Sequence, residues 1–257
     1  MTTLAFDIET VPDVDFGRRY LGLESLSDED VGQAMFALRR QRTGNDFLPL
    51  HQQRIVSIAC AMRSRDGFRL WSLGGPEADE AELVTRFFDG IERYSPELVS
   101  WNGAGFDLPV LHYRALRHGI AAPRYWELGD SDREFRYNNY LSRFHWRHVD
   151  LMDVLSGYQF RGAARLDEVA VLLGLPGKLG LSGDRVWDEW RKGHLGAIRD
   201  YCETDALNTW LVFLHFERFR GRRTTLELEQ EEALVADVLK ADGRAHLGEF
   251  LRAWGRE

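Results

Sequence analysis

Asp7 and Glu9 stand two residues apart in the stretch Leu4-Ala5-Phe6-Asp7-Ile8-Glu9-Thr10. In an extended strand alternate side chains share a face, so both carboxylates point one way and Leu4, Phe6 and Ile8 the other. Two acids side by side repel unless a cation stands between them. The stretch holds no Lys or Arg, which makes a divalent metal the economical neutraliser; a solvated strand face is the alternative. Two later stretches weigh against that alternative. In Val99-Ser100-Trp101-Asn102-Gly103-Ala104-Gly105-Phe106-Asp107-Leu108-Pro109, a strand ends, a glycine-containing turn follows, and Asp107 precedes a helix begun by Pro109. There Asp107 is either an N-cap or a further ligand. Asn102 can hydrogen-bond a base or sugar edge, and the glycines let a backbone or a ligand come close. In Asp200-Tyr201-Cys202-Glu203-Thr204-Asp205, inside a long helix, Tyr201 and Asp205 are four apart and share a face. The carboxylates Asp7, Glu9, Asp107 and Asp205 are hard oxygen ligands that suit Mg²⁺ or Mn²⁺ better than zinc. Two such ions about 4 Å apart clamp the attacking and leaving oxygens of an in-line phosphoryl displacement.

These residues need a sheet and helices to meet. Pro12-Asp13 ends the first strand, and residues 13–50 read as a mostly helical insertion, with Ser27 as the N-cap of a helix that runs to Arg39-Arg40-Gln41-Arg42. That basic last turn either meets phosphates or answers the helix dipole. Residues 54–62 and 68–73 read as strands joined at Arg65-Asp66-Gly67, residues 77–94 as an amphipathic helix on Leu83, Phe87, Phe88 and Ile91, and residues 96–101 as a further strand. Helices are expected over 108–119, 166–173 and 194–218, and a short strand entering a helix over 147–155. The aromatic and charged stretch 120–149 has poor periodicity, and residues 176–184 form a Gly-rich loop without P-loop spacing. This order suits a mixed sheet with helices on its faces, an α/β architecture.

Taken together, Phe6-Asp7-Ile8-Glu9-Thr10, Asn102-x-x-x-Phe106-Asp107 and Tyr201-x-x-x-Asp205 resemble the three motifs of the DEDD superfamily of 3′–5′ exonucleases. The likeness is to the proofreading exonuclease domain of family-B DNA polymerases, here without a polymerase. The Tyr subclass is indicated, because Tyr201 stands four before Asp205 and Asp200 occupies the place of the other subclass's histidine. The resemblance implies a ribonuclease H-like fold over residues 1–218, with the 13–50 insertion after the first strand and a helical extension over 219–257 packed on it. It implies two divalent ions, Mg²⁺ or Mn²⁺, with Asp7 bridging both, Glu9 and Asp205 completing the site of the attacking water, and Asp107 acting on the second ion through water. Tyr201 would orient or help deprotonate the nucleophile, and Thr10, Asn102 and Phe106 would contact the 3′ nucleotide. The implied substrate is the 3′ end of single-stranded nucleic acid, DNA before RNA, in a proofreading or DNA-repair type of role.

Bulk properties bound this reading. At 257 residues, 44% of them hydrophobic and 29% charged, the chain can bury a full core. A net charge of −8 argues against coating duplex DNA through phosphates, and not against touching a few nucleotides at a strand end. No apolar run reaches membrane-span length, and the N-terminus does not read as a signal peptide. Cys60 and Cys202 make no framework or zinc spacing, which suits a reducing cytoplasm. Asp150 and Asp153 are either supports for the site or helix caps, Trp101 either a stacking surface or core, and Lys178, His148 and His194 either phosphate contacts or plain surface. Rival readings are an exoribonuclease, a binding module with a silent site, and a phosphodiesterase for small nucleotides.

Overall fold

The computed structural model describes residues 2–257. Strand β1 (Thr3–Pro12) lies at the centre, and its alternation divides the molecule as the sequence predicts. Leu4, Phe6 and Ile8 enter one core layer, with Phe6 meeting Phe87 at 5.0 Å between ring centroids. Ala5 enters the layer on the opposite face. After β1 come helices α1 (Val14–Leu21) and α2 (Asp28–Thr43) of the insertion, the latter capped by Ser27 accepting from the Asp30 amide. Strands β2 (Gln53–Ser64) and β3 (Gly67–Ser72) make the expected hairpin; α3 (Glu80–Tyr94), β4 (Glu97–Ser100), α4 (Asp107–His118), β5 (His148–Asp150) and α5 (Leu151–Leu155) follow. The chain then forms α6 (Leu166–Leu172), α7 (Val186–Arg191), α8 (Leu195–Phe219), α9 (Thr225–Asp242) and α10 (Ala245–Trp254). Among the described residues, no helix is long and apolar enough to cross a membrane.

The sheet order is β3-β2-β1-β4-β5. β1 pairs antiparallel with β2 and parallel with β4, and β4 pairs parallel with β5, so the sheet is mixed. It is consistent with a ribonuclease H-like α/β fold, helices flanking both faces. Pairing of β1 with β4 stops at Ala5↔Val99, although β1 runs on to Pro12. Beyond that point β1 continues without a neighbour on its β4 side, and a crevice opens at the carboxyl ends of β1, β4 and β5, where open α/β sheets place their ligands.

Helix α8 crosses the face that carries Asp7 and Glu9. Where it passes over β2 its contact is made of small side chains, Cys202 and Ala206 against Ala59, which let the helix approach closely, and further along Trp210 packs on Phe68 of β3. The Cys202 thiol donates to the Asp7 carbonyl at 3.3 Å. Helices α9 and α10 add Leu239, Leu247 and Phe250 to the layer beneath α8, and Thr224 with Glu227 forms a capping box at the start of α9. The insertion packs just as firmly. Gly17 faces Met35 and Gly32 faces the Trp187 ring at distances that a Cβ would reduce to 2.5–2.6 Å, so the helices touch where only glycine fits. The stretch 120–149 carries little regular structure, yet Tyr125, Phe135 and Tyr140 are core. The Arg124 and Arg147 guanidiniums lie 4.2 and 3.8 Å from the centroid of the Phe135 ring, cation–π contacts between residues distant in sequence.

Candidate active site

Asp7, Glu9 and Asp205 each present an oxygen atom, and these atoms lie within 4.8 Å of one another. The strand alternation puts Asp7 and Glu9 on one face, and α8 brings Asp205 over them. Burial pushes the Asp7 and Glu9 carboxyls well above the usual carboxylate range, and the neighbouring acids push them further. Asp205 is held at about 6, raised by burial against the opposing pull of Tyr201 and Lys178. Asp7 Oδ2 is buried and meets no hydrogen-bond donor. An acid oxygen without a donor, beside two further carboxylates, is the environment a hard cation would complete, and the donor set fits one.

Asp107 lies beside this group rather than inside it. The N-cap position is Phe106, and Asp107 is the first residue of α4, so the capping alternative does not hold. Its Oδ1 accepts instead from the Ile8 amide at 3.2 Å, on the stretch of β1 that β4 leaves unpaired. Burial, with the Asp150 charge behind it, raises its carboxyl to about 7 against the backbone hydrogen bonds that lower it. Tyr201 is buried next to Asp205; burial and then the charges of Asp205, Glu9 and Asp7 push its phenol far above the ordinary value.

The turn that positions Asp107 is built by Asp150. One carboxylate oxygen accepts from the Asn102 amide and the other from the Ala104 amide, both at 2.9 Å, while the same side chain caps α5 through Met152 and Asp153. Asp150 is thus both cap and clamp. Asn102 sits at φ 62°, a left-handed conformation Asn tolerates better than most residues. Gly103 and Gly105 are needed for space: a Cβ would stand 2.2 Å from Ser100 Oγ at the first and 2.5 Å from Asn102 Oδ1 at the second.

Two clefts flank the acids. Under the insertion, a cavity of about 660 Å³ is lined by Glu9, Thr10, Phe47, Phe106 and Trp187 among others. Phe47 and Phe106 meet at 5.6 Å between ring centroids, and the Thr10 hydroxyl is engaged, donating to Gln53 Oε1 at 3.0 Å. On the other side, a cavity of about 320 Å³ is bordered by Asp205, Tyr201, Asn102, Trp101, Arg165 and Lys178. The Lys178 ammonium lies 5.5 Å from the Tyr201 ring centroid, and its charge pulls the Glu9 and Asp205 carboxyls down. Asp7 and Asp107 line neither cleft, whereas Glu9, Thr10 and Phe106 border the first and Asn102, Tyr201 and Asp205 the second. His148 lines neither cleft: it is buried against Ser100 Oγ at 2.8 Å, and burial lowers it to about 4, so it is a neutral core group and no phosphate contact. His194 pairs with Glu189 at the surface, at the start of α8. Phe47 was not anticipated, since an aromatic residue in an irregular loop carries no local signal of what it faces.

A second network fixes α8 from below. Glu203 accepts from Ser72 Oγ at 2.8 Å and from Arg244 Nη1 at 2.6 Å, and pairs with His246 at 3.0 Å. Burial alone would raise it, but hydrogen bonds from His246, Ser72 and Arg244 hold it at about 2. The helix that carries Tyr201 and Asp205 is thereby tied to β3 and to the segment between α9 and α10.

No curated protein shows a significant match to the chain. A family model described as a predicted 3′–5′ exonuclease related to the exonuclease domain of PolB matches residues 45–254. The matched stretch contains Asp107, Tyr201 and Asp205, and the sheet adds Asp7 and Glu9 from the strand that precedes it. Because the match covers well over half of its length, the chain belongs to this family of predicted 3′–5′ exonucleases related to the exonuclease domain of PolB, whose substrate is nucleic acid.

Proposed function

We propose that the chain is a metal-dependent exonuclease that hydrolyses single-stranded nucleic acid from its 3′ end, DNA in preference to RNA, and releases nucleoside 5′-monophosphates in the cytoplasm. The observation that carries this reading is the convergence of Asp7, Glu9 and Asp205 with an orphaned Asp7 oxygen and with Asp107 alongside. In this reading Asp7, Glu9, Asp107 and Asp205 hold two divalent ions, Mg²⁺ or Mn²⁺. Such ions supply Lewis acidity for the scissile phosphate and a hydroxide-like water at neutral pH.

The chain's own groups do the rest. Tyr201 stays protonated, because burial and the surrounding acids raise its phenol; its role is to hold and orient the attacking water through the hydroxyl oxygen, and not to act as base. Lys178, without an acid within ion-pair distance among the described residues, is free to meet a phosphate oxygen. Phe106 and Phe47 offer apolar ring surface to the terminal base, with Thr10 at the floor of that cleft, and Asn102 borders the cleft on the upstream side.

The test is a time course on a 5′-labelled single-stranded DNA oligomer, with an RNA of the same sequence, in Mg²⁺, Mn²⁺ or EDTA, alongside Asp7→Ala. The expected result is a ladder that shortens from the 3′ end, faster on DNA, and disappears in EDTA and in the variant. Cleavage of RNA alone would make the chain an exoribonuclease. Tight oligomer binding with no cleavage in either metal would leave a binding module.

A further inference from the structure

The two sides of the acid cluster differ in charge. The cleft under the insertion is lined by Glu9, Asp46, Asp184 and Asp188; Asp46 pairs with Arg40, the only Lys or Arg lining it among the described residues, and Asp188 pairs with Arg191, so Glu9 and Asp184 carry its unpaired negative charge. On the opposite side, the small cavity at Asp205 shares Trp101, Met152 and Ala164 with a larger trough of about 660 Å³ between α5, α6 and α8. Among the described residues no Asp or Glu lines that trough, in a chain with 41 acids and 33 Lys and Arg. Arg218, at its rim, has no acid within ion-pair distance among the described residues.

The trough follows a single helix face. Tyr201, Asp205, Val212, Phe216 and Phe219 recur along α8 at helical spacing. The first two border the acids, and the last three line the trough. From Asp205 to Phe219 this face is about 21 Å long, room for about six nucleotides at the 3.4 Å spacing of a stacked strand. Its walls are apolar, and two of them stand unusually free: Phe219 is 81% exposed and Leu172 80%. An exposed ring and a loose cation beside a phosphate-cleaving site are what a stacked base and its phosphate would meet.

We propose that the strand upstream of the scissile phosphate passes over Trp101 and along α8 into this trough, while only the terminal nucleoside enters the acid-lined cleft. The proposal rests on the exonuclease reading above. Its logic is electrostatic: a 3′-terminal nucleoside ending in a hydroxyl carries no phosphate beyond the scissile one, so it tolerates Glu9 and Asp184. Every other phosphate of the substrate lies upstream, and Lys178 and Arg218 are placed on that side. The substrate is thereby an oligomer of several nucleotides, and a dinucleotide reaches only the first part of the path.

The test measures kcat/KM in Mn²⁺ for single-stranded oligomers of increasing length, using the wild-type chain and an Arg218→Ala/Phe219→Ala double variant, both of whose changes are remote from the acids. Wild-type kcat/KM is expected to rise with length and level off near the six-nucleotide span. The double variant is expected to lose about tenfold on long oligomers, through KM, and to match the wild type on trinucleotides. Arg218→Ala alone is expected to reduce the slope of log KM against log salt by about 0.7, one phosphate contact on a single strand. A long oligomer with a 3′-phosphate is expected to react at least tenfold more slowly than its 3′-hydroxyl counterpart, because the added charge would enter the acid-lined cleft. Cleavage with an unchanged length profile in the double variant overturns the strand path alone and leaves the trough to a protein partner. An equal loss on trinucleotides and long oligomers also overturns it, since that would be a structural effect. Failure of the wild type to cleave any oligomer overturns the exonuclease reading and the strand path with it.

Discussion

Two clusters of acids, one just past the end of β1 and the other centred on that strand, obey opposite rules. At the end of β1, Asp13 and Glu80 surround Arg114, whose Nη1 reaches Asp13 at 2.6 Å and whose Nε reaches Glu80 at 2.7 Å. The remaining oxygens are also used: Asp13 caps α1 through the Phe16 amide, and Glu80 takes the Ile55 amide and pairs with His118. Burial opposes ionisation of Asp13, yet Arg114 and the Phe16 amide hold its carboxyl below the usual range. At Asp7, Glu9, Asp107 and Asp205, of which Glu9 and Asp107 are buried and Asp7 and Asp205 half-buried, all four carboxyls are raised. The chain supplies its own cation to the first cluster and leaves the second short of positive charge. A compensated cluster holds a fold together, and an uncompensated one stores a demand for a cation from solution.

The strongest way to break that contrast is to exchange the outcomes. Asp205→Asn is expected to lower the exonuclease rate on the order of 10²–10³-fold while the protein stays folded. Arg114→Ala strands two buried acids and is expected to cost about 3–5 kcal/mol of stability. Rates on labelled oligomers and thermal melts of both variants check this. If Asp205→Asn unfolded the chain and Arg114→Ala left the melt unchanged, the assignment of one cluster to function and the other to the fold would be reversed.

Metal should repair only the uncompensated side. Saturating Mn²⁺, at about a hundred times its Kd, is expected to stabilise the wild type by about 2.7 kcal/mol. It should do far less for Asp7→Asn, and Arg114→Ala should keep the full increment. Melting curves with and without metal read this directly, and an equal increment in Asp7→Asn would place the ion elsewhere.

The pH dependence of the metal-free protein sharpens the same point. A carboxyl whose folded pKa is raised costs nothing while protonated in both states, and costs stability as pH climbs from the unfolded value through the folded one. Asp205, at about 6, therefore destabilises the metal-free fold above that pH and not at pH 4. In EDTA, Asp205→Asn is expected to be more stable than wild type by about 3 kcal/mol at pH 8, and nearly equal to it at pH 4. Denaturant titrations at the two pH values test this; a variant less stable at pH 8 would mean the carboxylate is already compensated.

The contrast also marks what a sequence can disclose. β1 was legible because a two-residue period is local, and it set the faces of Asp7, Glu9 and Ile8 correctly. Ser27 was legible as a cap for the same reason. Asp107 stood out by type and spacing, but its partner, the Ile8 amide, lies 99 residues away and became available only because β4 stops short. The cap at Asp150 was open to sequence reasoning; its grip on the Asn102–Ala104 turn requires β4 and β5 to be neighbours. Tyr125, Phe135 and Tyr140 gave no period at all, since their burial depends on Arg124, Arg147 and the Pro96 carbonyl that accepts from the Tyr140 hydroxyl at 2.7 Å. Helix α7 is only six residues long, too short for a helical period to emerge beside a Gly-rich loop. What is local in sequence was readable, and what one segment does to another was not.

Glu97 separates lack of compensation from function. It begins β4, is buried, and is raised to about 7, by burial first and by the Glu217 charge next. Its Oε1 meets no hydrogen-bond donor, as at Asp7. It stands in no cluster of possible metal ligands among the described residues. A raised carboxyl with one acid beside it and no third to complete a set of ligands is a local cost and nothing more. Glu97→Gln is therefore expected to stabilise the chain by about 3 kcal/mol at pH 8 and hardly at all at pH 4. Unlike Asp205→Asn, it should leave both the exonuclease rate and the Mn²⁺ increment at wild-type values. A loss of rate in Glu97→Gln would show that burial and an orphaned oxygen suffice to mark a working acid; the expected result makes convergence of several such acids the deciding feature.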